Sequence, residues 1–235
     1  MTDLIADTDL QALAERGAAE LGEDASAEDL LRWTDENFGA DYIVASNMQD
    51  AVLVDLAAKV HPGVDVLFLD TGYHFVETIG TRDAVEAVYD INVVNVRPEL
   101  TVADQDSVHG KDLFARDAAA CCGMRKVEPL GNALKNYSAW VTGIRRVEAP
   151  TRANAPLISW DKAFGLVKIN PLAAWSDEAM QDYIDNNGIL VNPLVFEGYP
   201  SIGCAPCTAK PLEGADPRSG RWAGQTKTEC GLHAS

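Results

Sequence analysis

From residue 41 onward, short apolar runs of strand length alternate with segments whose apolar positions recur at helical spacing. Residues 41–45, 64–69, 91–96, 139–143 and 166–169 read as buried strands. Residues 50–59, 74–88, 104–116, 125–135 and 176–186 read as helical. Such alternation admits few architectures, chiefly a parallel sheet flanked by helices on both faces. Ligands of these sheets sit beyond the carboxyl ends of the strands. The loops at 45–50, 70–73 and 143–152 are therefore the places to look for a site.

The two ends of the chain differ from this pattern. Residues 9–21 and 26–38 read as acidic amphipathic helices, the second opened by Ser26 ahead of Glu28 and Asp29, a capping arrangement that also suits the helix dipole. After Gly188, prolines and glycines recur too often for long helices or strands. A long irregular segment that carries cysteines and basic residues is expected to be functional. The 235 residues are expected to form a single domain: amino-terminal helices over 1–40, an α/β core over 41–190, and a loop-rich carboxyl-terminal segment over 191–235.

Composition narrows the function. The hydrophobic share of 47% is enough for a normal core. A net charge of -17 argues against nucleic acid as a partner, because phosphate neutralisation needs excess Lys and Arg. No apolar run approaches the roughly 20 residues that span a bilayer, and the first residues lack the basic flank and apolar run of a signal peptide. A cytoplasmic location and no membrane association are expected. In a reducing compartment the five cysteines point to metal binding or catalysis rather than to disulfides.

Cys121 and Cys122 are adjacent, Cys204 and Cys207 enclose Ala205-Pro206, and Cys230 stands apart. Four thiolates suit zinc or an iron–sulfur cluster. Adjacent side chains diverge, by about 100° on a helix, which favours a cluster with separate iron corners over one zinc ion. A thioredoxin-type dithiol at Cys204 and Cys207 is the remaining alternative, although prolines at 200 and 211 replace the strand and helix that normally frame one. Cys230 lies in Thr228-Glu229-Cys230-Gly231-Leu232-His233, where neighbouring glycine leaves the sulfur accessible and His233 is near in sequence. These are the requirements of a thiolate nucleophile; an incidental surface cysteine is the alternative.

With only 19 Lys and Arg, their grouping is informative. Arg125 and Lys126 follow the cysteine pair, Arg145 and Arg146 follow the fourth strand with Arg152 beyond, and Arg218, Arg221 and Lys227 precede Cys230. Arginine grips sulfate or phosphate through two donors, so these loops are candidate anion sites. Residues 46–50, from Ser46 to Asp50, place backbone amides at a helix start, a phosphate-binding geometry, without a Gly-rich fingerprint. Gly72, closing Leu69-Asp70-Thr71-Gly72, permits close backbone approach.

These stretches together resemble the assimilatory APS/PAPS reductase family, and within it the bacterial iron–sulfur APS reductases of actinobacterial type. The resemblance is carried by Phe68-Leu69-Asp70-Thr71-Gly72-Tyr73-His74-Phe75, Cys121-Cys122-Gly123-Met124-Arg125-Lys126-Val127-Glu128-Pro129-Leu130, Trp140-Val141-Thr142-Gly143-Ile144-Arg145-Arg146, Gly203-Cys204-Ala205-Pro206-Cys207-Thr208 and Lys227-Thr228-Glu229-Cys230-Gly231-Leu232-His233. It implies an adenine nucleotide α-hydrolase-like fold and a [4Fe-4S] cluster on Cys121, Cys122, Cys204 and Cys207. Cys230 would be the nucleophile that attacks adenylyl sulfate (APS), releasing AMP and leaving an S-sulfocysteine that thioredoxin discharges as sulfite. Lys126, Arg218, Arg221 and His233 match positions around the sulfate and phosphate groups, with Arg145 and Arg152 as further contacts. Ser46, Asp50, Leu69, Asp70, Thr71 and Gly72 fall in the expected substrate loops. Many relatives carry a Ser-Gly-type turn where this chain has Ser46-Asn47-Met48-Gln49. The competing readings are a PAPS reductase, whose members generally lack the four cysteines, an ATP pyrophosphatase of the same fold, and an iron–sulfur sensor.

Overall fold

Ser26 does cap a helix: its hydroxyl accepts the Asp29 amide at 3.1 Å. In the computed structural model, which describes residues 7–222 and 231–232, α1 (Asp7–Leu21) and α2 (Ala27–Phe38) precede the sheet. The core then runs β1 (Tyr42–Ala45), α3 (Val52–Val60), β2 (Val64–Leu69), α4 (Val76–Val88), β3 (Ile91–Val96), α5 (Val102–His109), α6 (Leu113–Arg116) and α7 (Ala118–Cys122). A π-helical turn over Gly123–Val127 leads into α8 (Glu128–Leu134), followed by β4 (Ala139–Thr142), β5 (Ile158–Asp161), β6 (Leu166–Ile169), α9 (Asp177–Asn187) and α10 (Pro193–Phe196).

The six strands lie in the order β3-β2-β1-β4-β6-β5. All neighbouring pairs are parallel except β5 with β6. Strand order reverses between β1 and β4, so the crevice for a ligand opens beyond Ala45 and Thr142. Along the strands, alternate side chains enter two cores. Tyr42, Val44, Val66, Phe68, Val141 and Ile169 join α1, α2 and α3 on one face. Ile43, Leu67, Trp140 and Leu166 meet Leu130 and Leu134 of α8 on the other. Burial on both faces is what lets a parallel sheet persist.

The parallel sheet flanked by helices is present, and two expectations about helices need correction. The sheet also carries one antiparallel edge strand, Ile158–Asp161, which returns through residues 162–165 with Gly165 at φ 71°. Ser159 and Asp161 interrupt its apolar pattern, which hid it. The helix expected over 104–116 is broken at Gly110, φ 80°, into α5 and α6. The helix expected at 125–135 starts earlier, so the cysteine pair closes α7 and the chain runs through the π-turn into α8. No helix among the described residues is long and apolar enough to cross a membrane.

The amino-terminal helices are part of the core. Leu30 is fully buried, so Leu30→Ala should cost about 2–5 kcal/mol, read as a lower urea midpoint at unchanged slope. A loss near zero would mean that α2 is only a loose cover.

Candidate active site

The loop after β1 is held by its own side chains. The Ser46 hydroxyl accepts the Met48 amide (3.2 Å), Asn47 accepts the Gln49 amide (3.1 Å), and Asp50 accepts the Val52 amide (3.1 Å) at the start of α3. Met48 sits at φ 59°, a left-handed conformation that a residue without glycine's freedom adopts only under local constraint. The constraint is visible: Met48 is buried and its carbonyl accepts from Asn192 Nδ2 at 3.1 Å. The Asp50 carboxyl is held above the usual carboxylate range by burial, against which the Val52 amide and the Arg145 charge act.

Across the switch point, Arg145 and Arg152 share one carboxylate. Arg152 Nη1 lies 2.6 Å from Glu148 Oε2 and Arg145 Nε lies 3.6 Å from Glu148 Oε1, while Arg145 Nη1 reaches Asp177 at 2.8 Å. Both arginine side chains are only 12% exposed. Arg146 turns away, donating to the Ala155 carbonyl and pairing with Glu23.

The loop after β2 faces the carboxyl-terminal segment. Asp70 accepts the Gly72 amide and the Arg97 Nε, each at 3.1 Å. The Leu69 carbonyl accepts from His74 Nε2 at 2.7 Å. Thr71 is 1% exposed, and its hydroxyl lies 3.3 Å from Cys204 Sγ. Gly72 has φ 74°, and a Cβ there would come within 3.0 Å of Arg125 Nη2 and 3.1 Å of Val102.

Cys121, Cys122, Cys204 and Cys207 line one cavity together with Arg125 and Lys126. Asp117 caps α7 by accepting the Ala120 amide at 2.9 Å. Cys204 and Cys207 flank a 3-10 turn, Ala205–Cys207, in which the Cys207 amide donates to the Cys204 carbonyl. Burial first, then the neighbouring Cys122, Cys204 and Cys207, push the Cys121 thiol up to about 11. Burial also raises the Cys207 thiol, opposed by Lys126 and Arg221. Lys126 thus acts on the cysteine cavity, and its charge likewise helps hold the His74 ring below its ordinary value, after burial.

The segment beyond Cys207 closes over this cavity. Trp222 donates its amide to the Cys207 carbonyl, and the Ala209 amide donates to Gly220. A Cβ at Gly220 would strike the Ala209 carbonyl, so only glycine fits there. The Arg221 guanidinium stacks 4.7 Å above the Trp222 ring and donates to Ser201 and to the Ile202 carbonyl. Arg218 is half-buried on the same turn. Cys230, His233 and Lys227 lie outside the described residues. Gly231 and Leu232 are described: a Cβ on Gly231 would lie 3.7 Å from Val127, and Leu232 packs on the Trp140 core.

Comparison with known proteins decides the family. The family described as "Phosphoadenosine phosphosulfate reductase domain" matches residues 41–210. The chain belongs to it. Among curated proteins it is 79% identical to the adenosine 5'-phosphosulfate reductase of Mycolicibacterium smegmatis, with 100% of both chains covered. It is 66% identical to that of Mycobacterium tuberculosis, over 100% of this chain and 98% of the relative. Among solved structures it is similar to the phosphoadenylyl-sulfate reductase of Candida auris in a phosphate complex, at 25% identity and TM-score 0.70, covering 89% of this chain and 100% of that one.

In this member of the phosphosulfate reductase family the expected residues form two groups. Ser46, Asp50, Arg145 and Arg152 belong to the switch point. Lys126 and the four cysteines line the cavity, and Thr71, Gly72 and Arg221 sit against its lining residues Cys204, Arg125 and Trp222. Gln49 ties the groups together, donating to the Pro200 carbonyl (3.3 Å) and accepting the Ile202 amide (3.0 Å) just before Cys204. Asp70 and Leu69 lie between them, engaged with Arg97 and His74. Glu148 was not singled out from sequence; it is brought to both arginines by two 3-10 turns, Arg146–Glu148 and Pro150–Arg152, joined through the extended Ala149. Arg125 was read only as one of the basic residues after the cysteine pair, and nothing in sequence signalled its burial, because its partners come from distant loops.

The Asp50 carboxyl yields a prediction with a defined sign. Its folded-state pKa is raised, so the folded protein binds that proton more tightly than the unfolded chain, and stability falls as pH rises from 3.8 through the raised value. Asp50→Asn keeps an acceptor for the Val52 amide and should remove this component. The difference in unfolding free energy between the two proteins should therefore move in favour of the Asn variant as pH rises. A pH-independent difference would refute the assignment.

Proposed function

We propose that the protein reduces adenylyl sulfate to sulfite and AMP through a covalent S-sulfocysteine on Cys230. The observation that carries this is the shared cavity of Cys121, Cys122, Cys204, Cys207 and Lys126 in a chain 79% identical to an adenosine 5'-phosphosulfate reductase. The whole chain is read as one sulfonucleotide reductase domain acting in the cytoplasm.

The four cysteines suit a [4Fe-4S] cluster. Among the described residues no group of three or more His, Cys, Asp or Glu side chains is arranged to hold a metal ion. The two pairs nonetheless line one cavity and raise one another's pKa, and a cluster takes its thiolates at separate iron corners. When bound it supplies a polarising charge at this end of the sheet.

The rest of the chemistry is assigned to side chains. The amides and side chains of Ser46, Asp50, Leu69, Asp70, Thr71 and Gly72 are read as holding the nucleotide. Arg145, Arg152, Arg218, Arg221, Lys126 and His233 neutralise the phosphate and sulfate oxygens. The Cys230 thiolate attacks the sulfonyl sulfur. The bond from that sulfur to the bridging phosphate oxygen breaks, and its electron pair leaves with AMP. One thiolate of reduced thioredoxin then attacks Cys230 Sγ, releasing sulfite and forming a mixed disulfide. Its second thiol resolves that bond, so the dithiol supplies both electrons.

Three measurements test this reading. Wild type mixed with APS but no reductant should gain about 80 Da, one SO₃ group, on Cys230 and release AMP, with thioredoxin discharging the adduct as sulfite. Cys230→Ser should lose turnover by several orders of magnitude yet keep its cofactor and its AMP affinity; an adduct on Cys204 or Cys207 would overturn the assignment. Purified protein should hold four irons (the complement of one [4Fe-4S] centre), and Cys204→Ser should lose iron and activity together, whereas a colourless and fully active wild type would refute the cluster. APS should show a higher kcat/KM than PAPS, and the reverse order would reassign the substrate.

A further inference from the structure

Arg125 occupies an unusual position. It is 4% exposed, in the π-helical turn that follows Cys122. Its Nε donates to the Thr71 carbonyl (2.5 Å), and Nη1 donates to the Leu100 carbonyl (3.2 Å) and to Gln105 Oε1 (3.0 Å). The guanidinium carbon lies 5.2 Å from the Tyr73 ring centroid. Each of these three acceptors is an uncharged oxygen, so the hydrogen bonds hold the guanidinium without neutralising it. A buried charge held only by neutral acceptors is costly, and Arg125 lines the cavity of the four cysteines.

The same contacts place Arg125 at a mechanical junction. Thr71, whose carbonyl it holds, touches Cys204 Sγ through its hydroxyl. The Tyr73 amide donates to that hydroxyl, and the Tyr73 carbonyl accepts the Ala205 amide at 2.7 Å. Glycine at 72 leaves room for the guanidinium. One side chain therefore ties the loop after β2, the loop after β3 and helix α5 to the wall of the cysteine cavity.

We propose that Arg125 is a positioning residue with two separable roles: its charge is the buried counter-ion of an anionic four-thiolate centre, and its fork fixes the loop of residues 70–73 against that centre. The proposal rests on the cluster and substrate-loop reading above. It is distinct from a substrate contact, since the fork points into backbone and Gln105.

The π-turn explains how both roles fit one residue. A π-turn admits one more residue per turn than an α-helix. Arg125 reaches the Thr71 and Leu100 carbonyls and Gln105 while both it and Lys126, the next residue, line the cysteine cavity.

Three variants of the full chain, purified with cofactor, separate the roles. The readouts are the rate at which a chelator bleaches the visible absorbance and the Kd for AMP by calorimetry. Arg125→Gln should bleach at least about tenfold faster and bind AMP at least about tenfold more weakly. Arg125→Lys keeps the charge without the fork; it should hold the cofactor within about threefold of wild type yet still bind AMP weakly. Gln105→Glu keeps the shape and the hydrogen bond but adds a competing carboxylate. It should fold normally, bind AMP as wild type does, and bleach faster, an outcome that a purely structural role does not produce. Wild-type bleaching in both Arg125→Gln and Gln105→Glu would overturn the counter-ion. Unchanged AMP affinity in both Arg125 variants would overturn the strut. Iron-free wild type would sink the cluster reading and the counter-ion with it, while the AMP titrations would still decide the strut.

Discussion

Gathering four thiolates in one desolvated cavity is unfavourable unless something cationic shares the space. Cys121 shows the cost, its thiol pushed up to about 11 by burial and then by the other three cysteines. Much of the second half of the chain is arranged around that constraint. Asp117 caps α7 so that Cys121 and Cys122 end a helix, and the π-turn then delivers Arg125 and Lys126 at once. The second pair rides on a 3-10 turn closed by the Trp222 amide, with glycine at 220 because the Ala209 carbonyl leaves no room for a Cβ. Thr71 and Gln49 fasten this segment to the loops after β2 and β1. Cavity and nucleotide crevice are therefore one construction rather than two neighbouring sites.

What could be read from sequence follows from how local each signal is. The strands β1, β2, β3 and β6 were legible because their apolar runs are bounded by turn residues and their period is set within four to six residues. The edge strand β5 was not: its four residues hold only two apolar side chains, Ile158 and Trp160, alternating with Ser159 and Asp161, and it is completed by pairing with β6. The cysteine pairs were legible as a donor set by residue type and spacing alone. That α7 carries the first pair was not, since Ala118, Ala119 and Ala120 give helix propensity without a periodic face. Arg125 shows the deeper limit. Nothing near it in sequence distinguishes a buried guanidinium from a surface one; the distinction lies in Thr71, Leu100 and Gln105, which the sheet order brings to it.

An acidic protein that handles an anion must resolve a conflict of signs. The net charge of -17 repels an approaching sulfonucleotide at long range, but at physiological ionic strength that field is screened beyond about 8 Å. Inside the crevice, local pairing decides. Arg145 and Arg152 are held by a shared Glu148 rather than left bare, so any anion that pairs with them competes with a carboxylate and gains only the difference. Arg125 donates instead to three neutral oxygens among the described residues and lines the cysteine cavity. The two arginine environments thus differ in kind: Arg145 and Arg152 share a carboxylate at the switch point, and Arg125 is held by neutral oxygens at the cysteine cavity. This arrangement accounts for the burial of both groups despite the acidic surface, because each cation is sited by hydrogen bonds within the protein rather than by the charge of the whole.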